Sequence, residues 1–112
     1  MREIKFRVWD KNKKQMFYPD DFGNKIKLPG EDVNKKYSIY MQYTGLKDKN
    51  DKEIYEGDII EFNNKLKLIV YWDNGGFALK NLTNTAEIPL VDIIRPIKVL
   101  GNIYENPELL EG

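Results

Sequence analysis

The sequence predicts a mostly β protein of antiparallel strands with little helix. Apolar and polar residues alternate over short runs, and glycine-, asparagine- and aspartate-rich turns separate these runs. No segment repeats its apolar residues with the 3.6-residue period of a helix. We therefore predict an N-terminal hairpin followed by a small, SH3-like, partly open barrel, which is a simple way to hide the edges of short strands.

The first predicted strand covers residues 4–9, where apolar and charged side chains alternate. This alternation is typical of a strand with one solvent-exposed face, and it places Ile4, Phe6 and Val8 inward. A lysine-rich turn follows, and residues 16–18 return as the second strand of a hairpin with a basic tip. Residues 19–36 contain two prolines and two glycines and are interpreted as a loop, with room for a short strand at 25–28.

The central stretch, residues 43–60, predicts a strand, a glycine turn, a polar tip, a short strand, a second glycine turn and a further strand. It is preceded by a strand over residues 37–43, in which Tyr37, Ile39, Met41 and Tyr43 share a face. Glycine adopts positive φ freely, and Asn and Asp tolerate it. Seven residues are accordingly expected to turn the chain: Gly45, Asn50, Asp51, Gly57, Asp58, Gly75 and Gly76.

The second half predicts strands at residues 59–62, 66–72 and 77–80, and a final strand made of residues 93–94 and 97–104. Residues 63–65 and 73–76 are tight-turn sequences, and Gly101 predicts a bulge or bend in the last strand. Residues 81–92 follow no clean period and predict a loop with a short helical or extended segment. Asn106 followed by Pro107 predicts one terminal helical turn.

The charge distribution is uneven although the chain is neutral, with 18 basic and 18 acidic side chains. Residues 1–49 carry 12 basic and 7 acidic side chains, whereas residues 50–112 carry 6 and 11. This difference predicts two lobes, 1–54 with the hairpin and central strand and 55–112 with the barrel, or one continuous domain 1–112. Head-to-tail contact between copies and simple solvated charge are equally compatible with it.

Most catalytic chemistry is excluded by composition, because the chain has no Cys and no His. Thiolate zinc sites, cysteine nucleophiles and the commonest general base are therefore missing. The acids between Asp48 and Asp58 lack the spacing of a calcium loop and are interleaved with lysines, which favours a solvated hairpin tip. We expect no catalytic residue, no metal and no cofactor, and hence a non-enzymatic protein.

One group of residues could bind nucleic acid or a protein partner. Stacking aromatics beside basic side chains are typical of surfaces for single-stranded nucleic acid. The neutral net charge favours instead the alternative that these aromatics belong to the core. The candidate contact residues are Arg7, Trp9, Lys11, Lys13 and Lys14 in the hairpin, with Tyr71, Trp72 and Phe77 in later strands.

The central stretch also carries a family resemblance. Tyr-Thr-Gly-Leu-Lys-Asp-Lys-Asn at 43–50, followed by Lys-Glu-Ile-Tyr-Glu-Gly-Asp-Ile at 52–59, resembles the central motif of the YopX family. Residues 4–10 and 100–110 are similar to the ends of the same family. Members commonly have Gly where this chain has Asp51. We expect Asn50 and Asp51 still to make the tight turn, since both tolerate left-handed geometry, at a cost of about 1 kcal/mol.

The resemblance implies a phage or prophage origin, a mostly β fold and a homo-oligomer, with no established activity to carry over. No apolar run reaches the length of a membrane span and the N-terminus lacks a signal-peptide core, so the cytoplasm of a bacterial host is expected. We predict an accessory protein that acts through contacts with itself or with host or phage proteins. The alternative is a nucleic-acid-binding module that uses the basic hairpin.

Overall fold

The computed structural model of the chain describes residues 4–18, 38–62, 66–73, 75–81, 87–89 and 96–110. Within these ranges the chain forms nine strands and one short 3₁₀-helix, and all strand pairs are antiparallel. The strands divide between a four-stranded and a five-stranded sheet. The prediction of a mostly β fold with little helix is confirmed. The loop predicted at residues 19–36 and the turn at 63–65 lie outside the described residues.

The first sheet has the strand order β2-β1-β3-β4. Its strands are β1 (Phe6–Asp10), β2 (Gln15–Phe17), β3 (Ser38–Lys47) and β4 (Glu53–Tyr55). Strands β1 and β2 form the predicted N-terminal hairpin. Its turn is fixed by Asp10, whose Oδ1 accepts hydrogen bonds from the N–H groups of Asn12 and Lys13, both at 2.9 Å.

The second sheet has the order β8-β7-β6-β5-β9 and curls into a half-barrel. Its strands are β5 (Asp58–Phe62), β6 (Leu66–Asp73), β7 (Gly76–Asn81), β8 (Glu87–Pro89) and β9 (Ile97–Asn102). The curl brings side chains from four of these strands into one cluster, which also receives Ile54 of β4. The other members of this core are Ile60, Leu68, Val70, Phe77, Leu79, Ile97 and Val99.

The predicted irregularity at Gly101 is present as a register shift between β5 and β9. Ile59 pairs with Gly101, whereas Ile60 pairs with Val99. A Cβ at Gly101 would lie 2.4 Å from Oδ1 of Asn106, so only glycine lets this side chain approach the strand. The predicted terminal turn is the 3₁₀-helix Pro107–Leu110. Asn106 precedes it and accepts a hydrogen bond from the Asn102 N–H at 3.1 Å.

The inward face predicted for the first strand is correct for Val8, which is buried, but wrong for the exposed Ile4 and for the half-buried Phe6. Arg7 is only 2% exposed, and its side chain reaches Asp58 of the second sheet, whereas Ile4 is 70% exposed. Phe6 lies on the opposite side of β1, where its ring contacts Tyr40 edge-on. Alternation predicted the correct period, but it could not predict that a buried acid on another strand draws Arg7 into the interior from the charged face.

The chain passes from the first sheet to the second through Glu56 and Gly57. Gly57 has φ of +85° and lies against Met41 of β3. Its N–H donates to the Val70 carbonyl and its carbonyl accepts from the Ile103 N–H, both at 2.9 Å. A left-handed backbone in this crowded position favours glycine. The connection between the two sheets at Gly57 is therefore fixed in both conformation and position.

Candidate functional site

A buried ion pair joins the two sheets. Nη2 of Arg7 lies 2.8 Å from Oδ1 of Asp58, and these side chains are 3% and 2% exposed. The same Nη2 donates to the Glu56 carbonyl at 3.0 Å, and Asp58 Oδ2 accepts from the Tyr55 N–H at 2.8 Å. Burial raises the pKa of Asp58, while the Arg7 charge and the Tyr55 N–H oppose that increase.

Two tyrosine rings lie close to the Arg7 guanidinium. The guanidinium carbon lies 4.9 Å from the ring centre of Tyr55 and 5.9 Å from that of Tyr18. Tyr55 also contacts the ring of Tyr43. Burial, and next the charge and hydrogen bond of Glu53, raise the pKa of the Tyr55 hydroxyl well above its ordinary value. Because the Arg7 guanidinium packs against these rings and pairs with Asp58, it stabilises the junction between the sheets.

A second junction lies at the turn that joins β3 to β4. Asp48 is 8% exposed, and its Oδ1 accepts from the N–H groups of Asn50 and Lys52, each at 2.8 Å. Its Oδ2 accepts from the Val99 N–H at 2.9 Å, and the Lys49 N–H donates to the Ile97 carbonyl at 3.0 Å. Residues 48–52, called the strap below, are thereby bound along the edge of β9 that does not pair with β5.

The electrostatics of Asp48 follow from these contacts. Partial burial raises the pKa of its carboxyl, but the N–H groups of Val99, Lys52 and Asn50 and the charge of Lys52 outweigh that effect. The net result is a pKa below the ordinary value. The ionised carboxylate is therefore the form that binds the strap to β9.

Four of the seven predicted turn residues have left-handed backbone geometry. Gly45, Gly57 and Gly75 have φ of +88°, +85° and +81°, and Asp51 has φ of +67°. The Asp51 side chain is 85% exposed. The interpretation of the acids at 48–58 as a solvated tip therefore fits Asp51 but is wrong for Asp48 and Asp58, which are buried. The turn role predicted for Asp58 is confirmed, since it accepts the Tyr55 N–H and begins β5.

The hairpin residues predicted to make contacts occupy different environments. Lys11, Lys13 and Lys14 are exposed at the turn between β1 and β2. Trp9, at the base of that turn, stacks on Tyr104 with ring centres 5.6 Å apart. Arg7, in contrast, is buried at the sheet junction. The hairpin thus presents three lysines, while Trp9 is half-buried and holds the hairpin against the turn after β9.

The other predicted contact residues lie in the second sheet, at the end of β6 and the start of β7. Trp72 is 45% exposed and meets the buried Phe77 edge-on, with ring centres 4.8 Å apart. Tyr71 points to the opposite face, where the ammonium of Lys80 lies 4.8 Å from its ring centre. The structure thus places these aromatics and the hairpin lysines in separate sheets.

Sequence reasoning did not identify Asp48 as a junction residue. Its only local signal is the order Asp-Lys-Asn-Asp-Lys, which suits an Asx-type turn in which a carboxylate accepts nearby N–H groups. The contact with Val99 spans 51 positions and has no local signal. Across the described ranges, no three acidic side chains are grouped as a metal site would require, and no helix is long and apolar enough to span a membrane.

Together these features define a small all-β protein whose two sheets are joined by an enclosed Arg–Asp pair and an aspartate-stabilised turn. The sequence model of the family described as YopX protein matches residues 5–111. The chain therefore belongs to the YopX family.

Two solved structures have similar folds. The crystal structure of protein EF1440 from Enterococcus faecalis is 29% identical with a TM-score of 0.67, and the match covers 99% of this chain and 100% of that one. The structure of protein yopX from Bacillus subtilis is 24% identical with a TM-score of 0.65, covering 100% of this chain and 98% of that one. No functionally curated protein matches the chain.

Proposed function

We propose that the chain is a non-enzymatic phage or prophage accessory protein that acts through protein contacts, including contacts with copies of itself, in the bacterial cytoplasm. The observation that carries this proposal is Trp72, a large aromatic side chain that is 45% exposed yet rests on the buried Phe77. Tryptophan is enriched among the residues that dominate protein interfaces. A ring already fixed by its neighbour loses little freedom when a partner covers it.

The charge distribution supports self-association. The first 49 residues carry a surplus of five basic side chains, and residues 50–112 carry an equal acidic surplus. Opposite charges on two parts of one chain attract when copies meet, and salt screens this attraction. We therefore expect self-association to be stronger at low than at high ionic strength.

Sedimentation equilibrium at high protein concentration and low salt tests the proposal, comparing the wild type with Trp72→Ala. Leu66→Ala is a matched control, because Leu66 lies on the same strand and is also 45% exposed. We expect Trp72→Ala to weaken self-association at least tenfold and Leu66→Ala to leave it within about twofold. A monomeric wild type under these conditions, or equal effects of the two variants, would contradict the proposal.

The second candidate function is binding of single-stranded nucleic acid, and it is favoured by the three exposed lysines of the hairpin turn. Oligonucleotide binding should then weaken steeply with salt and fall in the double variant Lys13→Glu plus Lys14→Glu. Lys49→Glu plus Lys52→Glu makes the same charge change in the strap and serves as the control. Absence of binding by the wild type at low salt would eliminate this candidate.

A further inference from the structure

A surface that combines aromatic rings with acidic side chains lies where the N-terminal hairpin meets the turn after β9. The Ile103 N–H donates to the Gly57 carbonyl at 2.9 Å, which holds this turn against the connection between the sheets. Tyr104, the next residue, stacks on Trp9 at the base of the hairpin turn. This surface, called the junction patch below, comprises Trp9, Tyr18, Glu56, Tyr104 and Glu105.

The two acids of the junction patch lie close to its tyrosines. Burial raises the pKa of Tyr18, the charge of Arg7 opposes this increase, and the charge of Glu105 adds to it. Burial, and next the charge of Glu56, raise the pKa of Tyr104. Tyr18 is also 37% exposed, so a partner at the surface can reach both a ring and a carboxylate.

The junction patch has a surplus of negative charge. The buried ion pair beside it is neutral. The Glu56 carboxylate accepts from the Gln42 N–H at 2.8 Å, and the Glu105 carboxylate accepts from Nδ2 of Asn102 at 2.9 Å. Both donors are uncharged, and neither carboxylate forms an ion pair with another described residue. The patch therefore carries two negative charges that a cationic partner can neutralise.

The tip of the N-terminal hairpin carries the opposite charge. The lysine tip comprises three exposed side chains, those of Lys11, Lys13 and Lys14. None of them forms an ion pair with another residue in the part of the chain that the structure describes. With Asp10, which fixes the turn, they leave a surplus of two positive charges, equal in size to the acidic surplus of the patch. Trp9 belongs to the same hairpin, so the two oppositely charged surfaces are neighbours in one molecule.

We propose that the lysine tip of one copy binds the junction patch of a second copy, and that a two-fold axis makes this contact reciprocal. In an isologous dimer the tip of each copy meets the patch of the other, so the same pair of surfaces is used twice. This inference rests on the self-association proposed above and names a surface for it that does not include Trp72.

Charge complementarity favours a second copy over nucleic acid as the occupant. A phosphate backbone attracted by the lysine tip would also meet the two carboxylates of the neighbouring patch, which repel it. A second copy instead presents lysines to the acids and acids to the lysines. The aromatic rings strengthen this contact, because a lysine ammonium placed over a Trp or Tyr ring gains a cation–π interaction.

The first test reverses the charge of the lysine tip. We expect Lys13→Glu plus Lys14→Glu, the tip-reversed variant, to raise the dissociation constant of self-association about tenfold or more in sedimentation equilibrium at low salt. Lys49→Glu plus Lys52→Glu makes the same charge change in the strap and should stay within about twofold of the wild type. Added salt should weaken association of the wild type but strengthen that of the tip-reversed variant, because it screens attraction and repulsion alike. Equal association, or the same response to salt, would overturn the proposal.

The second test reverses one charge of the junction patch. Glu105→Lys should weaken self-association of the wild type, because the lysines of the tip then meet a patch without net charge. In the tip-reversed variant the same substitution should strengthen association, because it removes the repulsion between two acidic surfaces. Glu108→Lys, at an exposed acid of the 3₁₀-helix, is the control and should show no such change of sign. Equal weakening by Glu105→Lys in both backgrounds would overturn the proposal.

Two further measurements keep the outcome decisive. If Glu105→Lys does not fold, Glu105→Gln removes the charge and keeps an oxygen that can accept from Asn102. It should give smaller changes of the same opposite signs, and equal changes in the two backgrounds overturn the proposal. Trp72→Ala is measured in parallel. A Trp72 effect without the change of sign rejects this inference alone, the change of sign without a Trp72 effect rejects the Trp72 surface alone, and a monomeric wild type rejects both.

Discussion

Arg7 and Asp58 lie 2.8 Å apart in the junction between the two sheets, and each side chain is almost fully excluded from solvent. The two residues come from β1 and β5, which share no sheet. Charges removed from water are stable only when paired and hydrogen-bonded. Nη2 of Arg7 and both carboxylate oxygens of Asp58 have partners, whereas the buried Nε of Arg7 has none within the described ranges. The pair therefore makes the stability of each sheet depend on the other.

Loss of the acid from this pair should strongly destabilise the protein. Asp58→Asn leaves the Arg7 guanidinium buried without a counter-charge, and we expect unfolding by urea to show a loss of about 3–5 kcal/mol. Asp51→Asn, at an exposed carboxylate, should cost less than about 1 kcal/mol. Adding Arg7→Met to Asp58→Asn should recover part of the loss. Equal effects of Asp58→Asn and Asp51→Asn would contradict a role for the pair.

Gly101 should tolerate no side chain while Asn106 is present. A Cβ at Gly101 would lie 2.4 Å from the Asn106 amide oxygen, so we expect Gly101→Ala to cost about 1–3 kcal/mol through overpacking. Gly76→Ala is the control, since a Cβ at Gly76 meets nothing within 4 Å. The double variant Gly101→Ala plus Asn106→Ala should lose less stability than the sum of its single changes. Additive losses in thermal unfolding would show that the two residues do not compete for space.

Asp48 should make stability fall in acid. Its pKa is lower in the folded than in the unfolded chain, so its contribution is complete above the ordinary aspartate pKa and is lost as pH falls through the folded value. The free energy of unfolding of the wild type should therefore decrease more steeply than that of Asp48→Asn as pH is lowered below about 4. Asp51→Asn should follow the wild-type curve. Parallel curves for wild type and Asp48→Asn would refute the prediction.

Tyr55 should have the opposite effect in alkali. Burial and Glu53 raise the pKa of its hydroxyl in the folded chain, so the unfolded chain ionises first as pH rises. Stability attributed to the neutral hydroxyl is present below about pH 10 and is lost above it. Tyr55→Phe should therefore show a shallower loss of stability above that pH than the wild type. Absorbance titration near the phenolate band should also lose a late-ionising group in Tyr55→Phe, and a titration identical to the wild type would contradict the assignment.

The sequence predicted the elements of the fold better than the contacts between them. Alternation and turn chemistry are local, and they located the hairpin, the strands of the half-barrel and the irregularity at Gly101. The burial of Arg7 on β1 could not be predicted in this way, since it depends on Asp58, 51 positions further along the chain. Asp48 was misassigned for the same reason. An aspartate between two lysines is typical of an exposed turn. Asp48 is buried because its carboxylate accepts a hydrogen bond from the edge of β9.

The candidate contact residues show the same limit. Trp72 and Phe77 are adjacent across β6 and β7, which their turn sequence already indicates. Trp72 is nevertheless 45% exposed and Phe77 only 8%, a difference for which the sequence has no local signal. Arg7 and Lys13 look alike in a basic hairpin, but one side chain is buried and the other is exposed.

The position of β9 has a consequence for the order in which the chain folds during synthesis. β5 pairs with β6 on one side and with β9 on the other, so the five-stranded sheet is incomplete until β9 has been synthesised. The ion pair of Arg7 likewise cannot form until Asp58 has been synthesised, and the carboxylate of Asp48 cannot bind the Val99 N–H until β9 has been synthesised. Pairings this distant in sequence close late and slow folding. The emerging chain therefore exposes unpaired strands while it is on the ribosome, and the central motif acquires its final partner only when β9 has been translated.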